Sequence, residues 1–163
     1  MKDRLDLLDG LNRSANVLSA FVQSIPDDKQ NRRRGDGCWT LAEHASHLAK
    51  VQPMLLERLQ RFRDEDHPVF VPYIPGDGDD ASDTPEVIPM DAAMDQFALF
   101  RGRQVALLNG VSAAVWEKTG SHPEYAIYSF YILVRHILMH DHWHMYRMEE
   151  LWLTEDAFLT KVE

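Results

Sequence analysis

The chain has one cysteine, Cys38, in 163 residues, so no intramolecular disulfide can staple it, and the expected home is a reducing cytoplasm. Positive charge is short: 17 Lys and Arg stand against 26 Asp and Glu, a net charge of −9. A surface of that sign repels phosphate backbones and anionic lipid headgroups, which argues against nucleic acid and membranes as partners. No apolar run approaches the roughly 20 residues that a membrane-spanning helix needs, and no basic, apolar and small-residue succession marks a secretory leader. Internal repeats and low-complexity tracts are lacking too. What is there is ordinary globular usage, 45% apolar and 26% charged, fitting one soluble domain over residues 1–163 with enough chain to bury a core.

Apolar residues recur at helical spacing in four stretches. Between Arg4 and Ile25, Leu8, Leu11, Ala15, Leu18 and Val22 share one face, and Pro26 and Asp27 end the run. Thr40 and Glu43 form a capping box, with Trp39 in the staple position before it, and open a helix through Leu48, Leu55 and Leu59 to about Arg63, bent at Pro53. From Asp64 to Pro89 the chain carries Pro68, Pro72, Pro75, Gly76, Gly78, Pro85 and Pro89 among acidic residues, which reads as a long loop. A third helix starts near Asp91, with Phe97, Phe100, Leu107, Leu108, Val111 and Val115 on its apolar side, and closes between Gly120 and Pro123. The fourth runs from Tyr125 to Leu153 through Ile132, Leu133, Ile137 and Leu151, leaving a peripheral tail after Thr154.

With no strand expected, the fold class is all-α, a four-helix bundle. A crossover of roughly 25 residues can retrace a helix of about 35 Å, so the second and third helices can run parallel, in the order up, down, down, up.

His136, His140 and His144 are four apart, so successive rings turn by only about 40° and rise about 6 Å along one stripe of the last helix. Two adjacent rings can chelate a metal, and His47 offers a third ligand. In the up-down-down-up order His47, His144 and His140 lie about 9, 14 and 20 Å below the same end of the bundle, whereas an alternating order drops His140 and His144 to about 21 and 27 Å. His44, one turn before His47, reads as the staple partner of Trp39. His136 reads as a hydrogen-bonded wall of the site, and His142 points about 160° from His144, toward solvent or an interface. Three neutral imidazoles suit zinc, nickel or ferrous iron and leave coordination positions open, at which a water or thiol becomes a nucleophile. The plain alternative is a set of packed or solvated histidines without a metal.

The run Trp39-Thr40-Leu41-Ala42-Glu43-His44-Ala45-Ser46-His47-Leu48, followed by His140-Asp141-His142-Trp143-His144, resembles the two halves of the DinB-like (YfiT-like) metalloprotein superfamily. The resemblance implies an up-down-down-up bundle with one metal ligand from the second helix and two from a His-x-x-x-His in the fourth, here His47, His140 and His144. Many members follow the last histidine with Arg-Gly-Gln, whereas this chain reads Met145-Tyr146-Arg147, so the pocket beyond the metal differs. Members with assigned activity are thiol transferases using bacillithiol, mycothiol or related thiols of the glutathione type, or metal-dependent hydrolases, and they often form homodimers.

Around this centre the candidate catalytic residues are Glu43 and Asp141, as carboxylates that orient an imidazole or move a proton, and Arg147, which contacts an anionic substrate or bridges to Glu43 or Glu150. Arg32, Arg33 and Arg34 read as solvated charges balancing Asp27, Asp28 and Asp36. Ser129 and Tyr125 read as packing residues of the fourth helix, and Cys38 as a small buried thiol beside Trp39. The expected function is that of a divalent-metal-dependent thiol transferase or hydrolase acting on a small molecule. The alternative is a non-catalytic metal-binding or stress-related interaction module. Trp143, Trp152 and His142 are candidate homodimer contacts.

Overall fold

The computed structural model describes residues 3–72 and 87–159 and is mainly helical. Its elements are α1 (Arg4–Gln23), a single 3₁₀ turn (Asp27–Lys29), α2 (Leu41–Lys50), α3 (Gln52–Asp64), α4 (Met90–Gly110), α5 (Ala113–Trp116), β1 (Thr119–His122), β2 (Tyr125–Ser129), α6 (Phe130–Leu153) and α7 (Asp156–Leu159). The loop residues Pro75, Gly76, Gly78 and Pro85 lie outside the described residues. Among the described residues no helix is long and apolar enough to cross a membrane.

The capping box forms as the sequence indicates: Glu43 N–H donates to Thr40 Oγ1 at 3.1 Å, and Thr40 N–H donates to the Glu43 carboxylate. The rod it opens is broken at Val51 into α2 and α3 instead of running through with a bend. Pro53 has no N–H to give the Ala49 carbonyl; the Gln96 side chain from α4 donates to that oxygen at 3.2 Å and Gln52 Nε2 donates to Leu48 O at 2.9 Å.

Two expectations fail in the second half of the chain. The third helix ends at Gly110 rather than running on to the Gly120–Pro123 break, with α5 as a separate turn. The fourth begins at Phe130, because Thr119–His122 and Tyr125–Ser129 pair as an antiparallel hairpin where no strand was expected. Alternating Tyr125, Ile127 and Ser129 suit a pleated surface, and Ser129 caps α6 by accepting the Ile132 N–H at 3.2 Å. The chain leaving α3 adds to this hairpin: Ser121 N–H donates to Pro68 O at 2.9 Å and Phe70 N–H to Ser121 O at 2.8 Å. Gly120 sits in the contact, where a Cβ would lie 2.7 Å from the Pro68 carbonyl oxygen.

The stretch after Thr154, expected as a peripheral tail, places one of its described side chains in the core. Leu159 is 3% exposed and packs with Leu18, Val22, Ile25 and Leu41.

Buried apolar residues form two clusters, one around Leu11, Leu55, Leu108 and Ile137, the other around Leu18, Leu48, Phe97 and Met148. Between them lies a buried polar layer of Ser14, Gln52, Arg101, Gln104 and Asp141. Arg101 and Asp141 are ion-paired at 2.8 Å, and Gln104 donates to Gln52 Oε1 at 3.0 Å. Going up the numbering, α1 and α6 pass from the first cluster through this layer to the second, while α2–α3 and α4 pass from the second to the first.

Candidate metal centre

Because the capping box fixes where α2 starts, His44 and His47 fall on the face turned to α6, and the four-residue step on α6 sets His140 and His144 opposite them. The Nε2 atoms of His47 and His140 are 3.2 Å apart, as are those of His144 and His140. All three rings offer ligand atoms within 4.8 Å of one another. Ligands at zinc-like bond lengths of about 2.0–2.1 Å in a tetrahedral arrangement stand about 3.3 Å from each other, so the nitrogens are spaced as ligands of one ion would be. Burial lowers His47 to about 4, His140 to about 3 and His144 to about 2, with the neighbouring imidazoles adding to the effect at the last two. The rings are therefore neutral at neutral pH, with lone pairs available. A borderline divalent ion is the species this donor set fits.

The surrounding groups hold the rings in place. His44 does pack on Trp39, at 5.2 Å between ring centroids, but its Nδ1 also meets His144 Nδ1 at 2.9 Å. Trp39 lies 4.9 Å from His47 and stacks on His144 at 5.8 Å. His140 Nδ1 is buried with no hydrogen-bond partner among the described residues. His44, expected only as the staple partner of Trp39, thus also reaches the centre, through a partner 100 residues away.

The histidines floor a cavity of about 470 Å³ whose walls include Arg34, Cys38, Trp39, Trp143 and Arg147. Cys38 is exposed on this wall and is not the buried thiol expected. The three consecutive arginines are not free surface charges. Arg32 donates to the Trp152 carbonyl at 3.0 Å, to the Thr154 carbonyl and to Asp156. Arg33 donates to Cys38 O at 3.2 Å and approaches Glu43 at 3.4 Å. Arg34 pairs with Glu150 at 2.9 Å, and Glu150 also accepts from Arg147 at 2.8 Å. These bonds clamp the segment carrying Cys38 and Trp39 to the end of α6.

Of the candidate catalytic residues, Arg147 lines the cavity, while Glu43 is occupied with the capping box and Arg33. Asp141 faces the opposite way, into the polar layer beside Arg101, and touches none of the three histidines. Burial pushes its carboxyl above the usual range against the pull of Arg101. His142 is exposed, as its rotation on the helix requires. His136 stacks on His140 at 6.0 Å and lines a second cavity, with Tyr125 Oη 3.2 Å from its Nδ1.

The structure of YfiT from Bacillus subtilis, described as "a probable metal-dependent hydrolase with an unusual four-helix bundle topology", aligns with a TM-score of 0.77 at 20% identity, over 93% of this chain and 86% of that one. At that identity the likeness concerns the fold. No curated protein matches the chain. The model of the DinB superfamily matches residues 11–148, the bulk of the sequence and both histidine segments. The chain therefore belongs to the DinB superfamily.

Proposed function

We propose that this chain is a divalent-metal-dependent enzyme acting on a small molecule, a thiol transferase ahead of a hydrolase, with His47, His140 and His144 as the metal ligands and zinc, nickel or ferrous iron as the ion. The observation that carries the reading is the convergence of three neutral imidazoles, His144 buried and His47 and His140 half-buried, on the floor of a cavity. An ion there would act as a Lewis acid that lowers the pKa of a water or thiol at its open positions. The up-down-down-up order belongs to the same reading, supported by the opposite sense in which the two helix pairs cross the polar layer.

The chain's own residues define what enters. Trp39 and Trp143 give the cavity apolar walls that exclude water from the imidazoles. Arg34 and Arg147 at its rim favour an anionic group, such as a thiolate-bearing cofactor with carboxylates. Among the described residues no carboxylate lines the cavity. Hydrolysis generally calls on such a base, whereas a thiol is acidic enough to do without one, which supports thiol transfer.

Metal analysis of untagged protein tests the reading. About one equivalent of metal per chain is expected in the wild type, with loss in both His47→Ala and His140→Ala, followed by turnover of electrophiles with bacillithiol, mycothiol or glutathione. Absence of metal after reconstitution with zinc, nickel and iron would overturn it.

A further inference from the structure

His47 and His140 each border two cavities. On the side away from Trp39 they close a second one of about 250 Å³, between α3, the β1–β2 hairpin and the first turns of α6. Arg58 supplies its positive charge. Its Nη2 donates to the Val71 carbonyl at 2.7 Å and its guanidinium lies 5.6 Å from the Phe70 ring centroid, so the fork is held in place. Among the described residues no carboxylate is ion-paired with it.

Beside Arg58 the cavity is lined by donors and by one carboxylate, Glu124, which is 63% exposed with an oxygen 3.9 Å from His122 Nδ1. His122 Nδ1 receives the Glu124 backbone N–H at 3.3 Å, which leaves the proton of the neutral ring on Nε2. The Tyr125 hydroxyl and His136 Nδ1 are hydrogen-bonded at 3.2 Å. Burial foremost, and then the Arg58 charge, hold the His122 imidazole below its usual range. Tyr128 adds a phenol that burial keeps protonated. A cation without an ion-paired carboxylate, the His122 Nε2–H and a phenol together call for a ligand group that accepts hydrogen bonds and carries negative charge. The aromatic walls leave room for a small organic body beside it.

We propose that this second cavity binds a small carboxylic acid, its carboxylate on Arg58 and its body turned toward the His47 and His140 edges, so that two molecules reach the centre from opposite sides. Its role as a substrate rests on the metal-centre reading; its binding rests on the cavity alone.

The test titrates benzoate, with benzamide as its neutral counterpart, into protein carrying its metal and into chelator-stripped protein, following ring signals by NMR. Saturable shifts at His122, His136 and Tyr128 are expected with benzoate, with benzamide weaker by about tenfold or more. Arg58→Gln is expected to lower benzoate affinity to the level of benzamide. Equal binding of the two compounds, shifts confined to Trp39, Trp143 and His44, or an Arg58→Gln variant that binds like wild type would each overturn the proposal. The comparison of the two compounds needs no variant to fold. Benzoate binding by a chain that takes up no metal would leave this site standing while the metal reading fails. Metal-loaded protein indifferent to benzoate would remove this inference alone.

Discussion

His44 and His144 meet Nδ1 to Nδ1 at 2.9 Å, so the tautomer of one ring sets that of the other. Two neutral imidazoles bond with one donor and one acceptor. When His144 presents a bare Nε2 toward His140 and His47, its proton lies on Nδ1 and is given to His44. His44 accepts at Nδ1 and keeps its own proton on Nε2. Burial, which lowers His44 to about 4, keeps it in this accepting form at neutral pH.

His44→Ala is therefore expected to weaken metal affinity by about ten- to a hundredfold, the usual cost of losing a group that orients a ligand histidine. Competition against a calibrated chelator measures it. An affinity equal to wild type would reduce His44 to the packing role its sequence position indicates.

Metal-free protein should lose stability as the medium becomes acidic. His44, His47, His140 and His144 titrate at about 4, 4, 3 and 2 in the folded chain against 6.5 in the reference state. Below 6.5 the unfolded chain binds protons that the folded chain refuses, so acid favours unfolding. The stabilisation is complete above 6.5 and declines as the pH falls toward 4, by up to about 1.4 kcal/mol per pH unit for each such ring. Urea midpoints at pH 7 and pH 5 report the sign, and a higher midpoint at pH 5 would contradict it.

Asp141→Asn is expected to destabilise the fold by about 3–5 kcal/mol, because it leaves the buried Arg101 guanidinium without its counter-charge. Replacing both, with Arg101→Met and Asp141→Leu, should recover much of that loss. Metal content should survive in the double variant, since the carboxylate faces the polar layer. Loss of metal with intact folding would instead return Asp141 to the centre.

What the sequence reveals of this site is what lies within a few residues. The capping box at Thr40 and Glu43 is a four-residue pattern, and the step from His140 to His144 is one helical turn. Both are legible and both are present in the structure. The hairpin escaped because Tyr125–Ser129 flows without a break into the apolar start of α6, which lets an aromatic strand pass for a first helical turn. Arg32, Arg33 and Arg34 look solvated beside Asp27, Asp28 and Asp36, yet the partners of Arg32 and Arg34 lie 116 to 124 residues away. The bond from Gln96 to Ala49 is likewise tertiary: the sequence marks the freed carbonyl through Pro53, but not the side chain that takes it.

Gly120→Ala tests how tightly the hairpin seats on the chain leaving α3. The added methyl would meet the Pro68 carbonyl oxygen at 2.7 Å and the Phe62 ring at 3.2 Å, and neither backbone nor buried ring yields easily. A loss of about 1–3 kcal/mol in unfolding free energy is expected. Thermal or urea unfolding measures it, and a neutral result would mean that the hairpin can shift.

The arginine clamp has a consequence for the order in which the site is made. Arg32 is translated early, but its partners Trp152, Thr154 and Asp156 come more than a hundred residues later, as do the helical histidines that face His47. A nascent chain holding α1 to α3 has neither the facing wall of the cavity nor two of its three proposed ligands. The centre can close only when α6 has emerged, so metal uptake follows its synthesis, and metal offered earlier meets a single imidazole of the proposed set.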